Sequence, residues 1–171
     1  MIQIERRASA VLYKFLVSNC SDYHFLIPAN VCSVVPLTFL ASGVGFSFVD
    51  IDDSTHAGSF DEYKKAIREC PDCKVGVLFV NAYGTRNDTK QFYEDIRTLR
   101  NDMIIIEDDC LCVPVTRRTN PVENVDLEFY STGNSKYVQM PMEGGYGMIR
   151  DGFAYNQIEA PFNENGYDEQ L

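Results

Sequence analysis

Short runs of Val, Ile, Leu and Phe alternate with stretches of helical period along most of this chain, and that alternation restricts the fold more than any other property. "ASAVLYKFLVSN" (8–19) has apolar residues at helical spacing, and "HFLIP" (24–28) is an apolar run stopped by Pro28. "SVVPLTFLASG" predicts a helix interrupted or entered at Pro36 and ended by Gly43, followed by the strand "GFSFVDID" (45–52). Ser59 stands three residues before Glu62, a capping-box spacing, and the following stretch puts Phe60, Tyr63 and Ile67 on one face, which predicts a helix over 59–69. "KVGVLFVNAYG" (74–84) reads as a buried strand closed by a turn, and "NDTKQFYEDIRTLRN" (87–101) as a second amphipathic helix. "MIIIED" (103–108), "DLEFYS" (126–131) and "GGYGMIRD" (144–151) read as three more strands. Strands separated by helices at this pitch form a parallel sheet with helices on both faces, because such strands must be apolar on both sides. The expected fold class is therefore α/β, a three-layer, mostly parallel sheet. One domain is expected over 1–153, followed by a polar tail over 154–171.

Composition narrows the function. With 15 Lys and Arg against 25 Asp and Glu, the formal net charge is −10, and the longest basic cluster is a pair. Phosphate backbones need a basic face, so this balance argues against nucleic acid. Apolar runs fall short of the ~20 residues of a membrane span. The opening "MIQIERRASA" lacks the apolar core of a signal peptide, so the chain reads as cytoplasmic and without a membrane partner. Six cysteines, several inside apolar runs, read as reduced thiols that behave as small hydrophobes. Cys70-Pro71-Asp72-Cys73 has redox or zinc spacing, yet it lies between a helix and a strand and reads as the turn joining them. No metal site is expected.

Ligands of parallel sheets bind at the carboxyl ends of the strands. Polar residues gather at those predicted ends: Asn81 and Tyr83, then Glu107 and Asp108, then Ser131. Beyond the last lie Lys136 in a turn and, seven residues later, Glu143-Gly144-Gly145. "IIIEDD" together with "FYSTGNSKYVQMPMEGG" resembles the DegT/StrS family of pyridoxal-phosphate-dependent sugar aminotransferases. In that family a strand ending in Glu-Asp, a Ser five residues before the lysine that bonds the cofactor, and Glu-Gly-Gly occur in this order. "LIPANVC", "FVDID" and "VNAYG" agree with further family segments, and the resemblance spans roughly 7 to 150.

The resemblance implies the large domain of the aspartate-aminotransferase fold without the small C-terminal domain. It also implies pyridoxal 5'-phosphate as cofactor, an amino-acid donor such as glutamate, a keto-sugar acceptor linked to a nucleotide, and a homodimer. Carried onto this sequence, Lys136 bonds the cofactor aldehyde and moves the substrate proton, while Ser131 and Ser9 contact the phosphate. Asn81 contacts the phenolic oxygen, or as a structural alternative caps the strand end, and Cys32 lies against the ring. The chemistry independently requires an ionised carboxylate beside the ring nitrogen, so that this nitrogen stays protonated. Asp108 is the candidate and Asp109 the alternative, because a one-residue shift reverses the face of a strand residue. As a structural alternative, Cys32 is a buried thiol. Three positions depart from the family pattern: Arg7 replaces a glycine, Leu111 a glutamine and Tyr137 an asparagine. The alternative function is accordingly an aminotransferase-like domain, catalytically impaired, that binds or supports a partner. A nucleotide- or flavin-binding module is disfavoured, since no Gly-x-Gly-x-x-Gly follows a strand.

Overall fold

The computed structural model describes residues 1–114, 118–133, 136–139 and 144–161. Glu143 and the end of the polar tail (162–171) lie outside them. The elements are β1 (Ile2–Glu5), α1 (Ala8–Asn19), β2 (Tyr23–Pro28), α2 (Val34–Ser42), β3 (Gly45–Val49), α3 (Phe60–Glu69) and β4 (Lys74–Val80). A 3₁₀ turn (Ala82–Gly84), α4 (Lys90–Leu99), β5 (Ile104–Asp108), β6 (Leu127–Ser131) and β7 (Gly145–Ile149) follow. All seven strands join one sheet in the order β1-β7-β6-β5-β4-β2-β3. The pairings from β3 to β6 are parallel, and β7 pairs antiparallel with both β6 and β1. The mostly parallel sheet and the six strands read from the sequence are all present. β1 is the additional one: it is a short edge strand whose Ile2 and Ile4 are exposed, so it carries no buried apolar run to betray it.

Strand pleating sorts the core into two layers. Leu78 of β4 and Ile104 and Ile106 of β5 pack with Val11 and Phe15 of α1 and Phe39 of α2. Val75, Val77 and Phe79 of β4 and Ile105 of β5 pack on the opposite face with Tyr63 and Ile67 of α3 and Phe92, Tyr93 and Ile96 of α4. The second layer is aromatic: the Phe60 and Phe92 rings stack at 4.4 Å, and the Tyr63 hydroxyl is buried where it donates to Leu78 O at 2.8 Å. Ser59 caps α3, its Oγ accepting from Glu62 N–H, and Gly43 ends α2 at φ 74°.

Residues 154–157 run back along α1. Ala154 N–H donates to Asn19 Oδ1 at 3.0 Å, Asn156 N–H to Ser18 Oγ at 3.0 Å, and Tyr155 OH to Glu5 Oε1 at 2.9 Å. Cys70 and Cys73 occupy the turn from α3 to β4, as their spacing suggested. They are not free thiols, however. The turn brings their Cα atoms to 5.8 Å, within disulfide reach, and the two are bonded.

Gly76 in β4 leaves room for the fully buried Phe25 ring, which a Cβ would meet at 2.4 Å. Gly76→Ala should therefore overpack the sheet and destabilise the chain by about 1 to 3 kcal/mol, read as a lower urea midpoint at unchanged slope. An unchanged midpoint would show that the ring yields freely.

Candidate functional site

The carboxyl ends of β4, β5 and β6 meet the N-terminus of α1 around a cavity of about 430 Å³. Its position follows from the chain path. The 145–149 strand runs antiparallel beside β6, and its leading glycines carry no Cβ, so the segment before α1 packs directly on them. A Cβ on Gly144 would lie 2.4 Å from Arg6 O, and one on Gly145 2.4 Å from Ala8 N. These contacts set the start of α1 against the sheet. The first amides of a helix have no carbonyl partner within it, and the macrodipole adds partial positive charge, so this end of the cavity suits an anion.

Asp108, Ser131, Lys136, Ser9 and Cys32 all line the cavity. Asp108 arrives there by alternation: Ile104, Ile106 and Asp108 share the α1/α2 face of β5. The parallel ladder fixes this register, with Asn81 N–H donating to Asp108 O at 3.1 Å and Asp109 N–H donating to Phe129 O at 2.9 Å. Asp108 is buried, and its Oδ1 accepts Cys110 N–H at 2.9 Å. Burial pushes its carboxyl up to about 6, while the Cys110 hydrogen bonds and the Lys136 charge pull it back. The half-buried Lys136 is held by a turn in which its N–H donates to Gly133 O at 3.3 Å, and Ser131 Oγ donates to Gly144 O at 3.4 Å. Cys32 is exposed at the cavity, which corrects its reading as a buried structural thiol: the loop after β2 carries it to the mouth rather than into the core.

Asn81 is also corrected, because it lies off the cavity with its amide fully engaged. Its Nδ2 donates to Glu107 Oε1 at 2.6 Å and to Asp109 Oδ1 at 2.7 Å, and its Oδ1 accepts Asn87 N–H at 2.9 Å. Asp109 likewise faces away, toward Arg86, whose Nη1 lies 2.6 Å from Asp109 Oδ2. Arg86 Nη2 donates to the Tyr130 hydroxyl at 2.8 Å, and Tyr93 OH donates to Glu107 Oε2 at 3.0 Å. Glu128 is buried in the same network, between Tyr130 and Arg118. Of this network the sequence singled out Asn81, Glu107 and Asp109. Arg86 and Tyr93 come from a turn and from a helix, and no motif links them to β5. Among the described residues, no group of three His, Cys, Asp or Glu is placed to hold a metal, and no helix is long and apolar enough to cross a membrane.

No protein-family model and no curated protein matches the sequence. Solved structures do match. NtdA from Bacillus subtilis with bound cofactor PMP superposes at TM-score 0.70 with 23% identity, covering 87% of this chain and 32% of that one. A DegT DnrJ EryC1 StrS aminotransferase from Brucella abortus matches at TM-score 0.68 and 15% identity, over 89% and 42% of the two chains. The E. coli GDP-4-keto-6-deoxy-D-mannose-3-dehydratase with bound hydrated PLP matches at 0.69 and 21%, over 88% and 39%. This chain has the fold of these enzymes. It spans only 32% to 42% of their length.

Glu107 provides a test of the buried network. Burial first, and the Asp109 charge second, push its carboxyl up to about 7 from an ordinary 4.5. A carboxyl that holds its proton more tightly when folded contributes stability below pH 4.5, and that contribution is lost as pH rises through 7. Between pH 5 and 8 the urea-unfolding free energy should fall by on the order of 2 kcal/mol more for the wild type than for Glu107→Gln, which cannot ionise. Parallel pH profiles for the two proteins would place the ionisation elsewhere.

Proposed function

We propose that this chain is the cofactor-binding domain of a pyridoxal-phosphate-dependent enzyme that transfers an amino group from a glutamate-like amino acid to a nucleotide-linked keto sugar. The observation that carries the proposal is the convergence of Asp108, Lys136, Ser131 and the start of α1 on one cavity. The donor set suits the group: a carboxylate, an amine, two hydroxyls and a helix N-terminus match a ring nitrogen, an aldehyde and a phosphate. The apolar Leu12, Val35, Val80 and Phe129 supply walls for a ring. When bound, pyridoxal 5'-phosphate supplies an electron sink for the α-carbon of an amino substrate.

The residues of this chain would do the rest. Ser9, Ser131 and the first amides of α1 hold the phosphate and fix the ring's orientation. Asp108 holds a proton at the ring nitrogen, and a cation beside this buried carboxylate favours its ionised form, offsetting the burial that raises it. Lys136 Nζ takes the proton from the α-carbon and returns it one step later. The apolar walls keep water away, which strengthens each of these charges. The donor, the acceptor and the nucleotide link are drawn from the resemblance to sugar aminotransferases. The dimer proposed with them has physical support in α2, whose outer face exposes Val34, Leu37 and Leu40, the last at 66%.

Incubation with pyridoxal 5'-phosphate followed by borohydride should leave a pyridoxyl mass on the peptide containing Lys136, and Lys136→Ala should abolish it. An unlabelled Lys136 in the wild type refutes the cofactor assignment. Asp108→Asn should still be labelled while its amino-transfer half-reaction slows roughly a hundredfold or more, because a neutral amide cannot hold the ring proton by charge. Sedimentation at micromolar concentration should give the mass of two chains, reduced to one by Leu37→Asp combined with Leu40→Asp.

A further inference from the structure

β5 delivers two aspartates in succession, and the fold uses the second for something other than the cavity. Asp109 is fully buried, with Oδ1 accepting from Asn81 at 2.7 Å and Oδ2 from Arg86 at 2.6 Å. Arg86 is itself fixed, donating to Tyr130 OH at 2.8 Å and to Val113 O at 3.2 Å, with its guanidinium 5.7 Å from the Tyr130 ring centroid. The same Asn81 amide reaches Glu107, so one nitrogen bridges two carboxyls, of which Asp109 is the one that meets Arg86. Glu128 and Tyr130 approach from β6, Tyr146 from β7 and Tyr93 from α4, and Cys112 closes the side after β5. None of these groups lines the cavity.

An asparagine at 109 would offer one acceptor to two donors, its own NH2 facing either Asn81 or Arg86, and the ladder to Phe129 uses only backbone. An aspartate accepts from both and adds a full negative charge. Burying that charge is expensive, and leaving it unpaired more so, which is why Arg86 accompanies it. The charge sits one peptide unit from Asp108, in an interior where Coulomb forces are weakly screened. On its own face Asp108 meets Cys110 and Lys136, with Arg6 and Arg7 also on the cavity lining.

We propose that Asp109 is a positioning residue acting through charge: clamped by Arg86 and Asn81 behind the sheet, it sets how tightly the Asp108 carboxyl holds a proton in the cavity. In the reading of the site proposed above, on which this consequence rests, Asp109 strengthens the grip of Asp108 on the proton at the ring nitrogen. The coupling itself belongs to the ligand-free chain.

Carboxyl carbon-13 NMR of the ligand-free protein measures it directly. Asp109→Asn should lower the Asp108 midpoint by roughly 0.5 to 1.5 units. Arg86→Gln, which leaves Asp109 uncompensated, should raise it, and Arg86→Lys, which keeps the charge, should leave it nearly in place. With cofactor bound, the pH profile of its absorbance should shift down in Asp109→Asn. A purely structural Asp109 would change the urea midpoint and leave the Asp108 titration where it is, and that result, or an upward shift, overturns the proposal. Should Asp109→Asn fail to fold, the opposed expectations for Arg86→Gln and Arg86→Lys decide the matter. Failure of Lys136 labelling removes the cofactor reading without touching this titration, whereas an unmoved titration with a labelled lysine removes only the role of Asp109.

Discussion

The pleat of one central strand governs the chemistry of this molecule. Side chains of β5 alternate faces strictly, so the sequence Ile-Ile-Ile-Glu-Asp sends Glu107 one way and Asp108 the other, and both are buried. Desolvating a carboxyl is costly unless partners meet it, and the two faces meet that demand differently. Behind the sheet, Glu107 and Asp109 are enclosed by Asn81, Tyr93 and Arg86 until nearly every oxygen has a donor. In front, Asp108 keeps only the Cys110 donors and otherwise faces the cavity shared with Lys136. One face is a closed polar core and the other a place for a ligand, and a single-residue slip of β5 would exchange them.

How legible all this was in the sequence depended on range. α3 announced itself through Ser59, Glu62 and its apolar face, and β4 and β5 through uninterrupted apolar runs, because these signals are local and strong. The convergence of Asp108, Ser131 and Lys136 could be anticipated because parallel strands end on the same side, with Asp108 and Ser131 at such ends and Lys136 a few residues beyond one. Asn81 was legible only in part for the same reason. It also follows a strand, but which way a side chain turns beyond the last ladder bond is decided by its neighbours, here Glu107 and Asp109. Arg86 could not have been found at all, since its partners lie 23 and 44 residues away and a lone arginine in a turn looks solvated. β1 escaped because an edge strand with one face exposed needs no apolar run.

Charge is distributed against the average. A chain carrying a net −10 directs Lys136 toward its cavity and has Arg6 and Arg7 on the lining, with Asp108 as the one acidic residue there among the described residues. The remaining buried acids at this end of the sheet are turned to the opposite layer. An anionic ligand would therefore approach a locally cationic pocket in an acidic molecule, a contrast that favours orientation on arrival over mere attraction.

The join between the two ends of the sequence has a kinetic consequence. Met1 N donates to Ile149 O at 2.8 Å, and the segment before α1 reaches its place only by resting on Gly144 and Gly145. The pairing of β1 with β7 closes a loop of more than 130 residues, the kind of contact whose entropic penalty delays it until nearer partners have formed. During synthesis, β2 to β6 can assemble as soon as they leave the ribosome, while the anion-binding end of the cavity must wait for residue 149. The carboxylates of β5 are thus housed before the pocket they serve is closed.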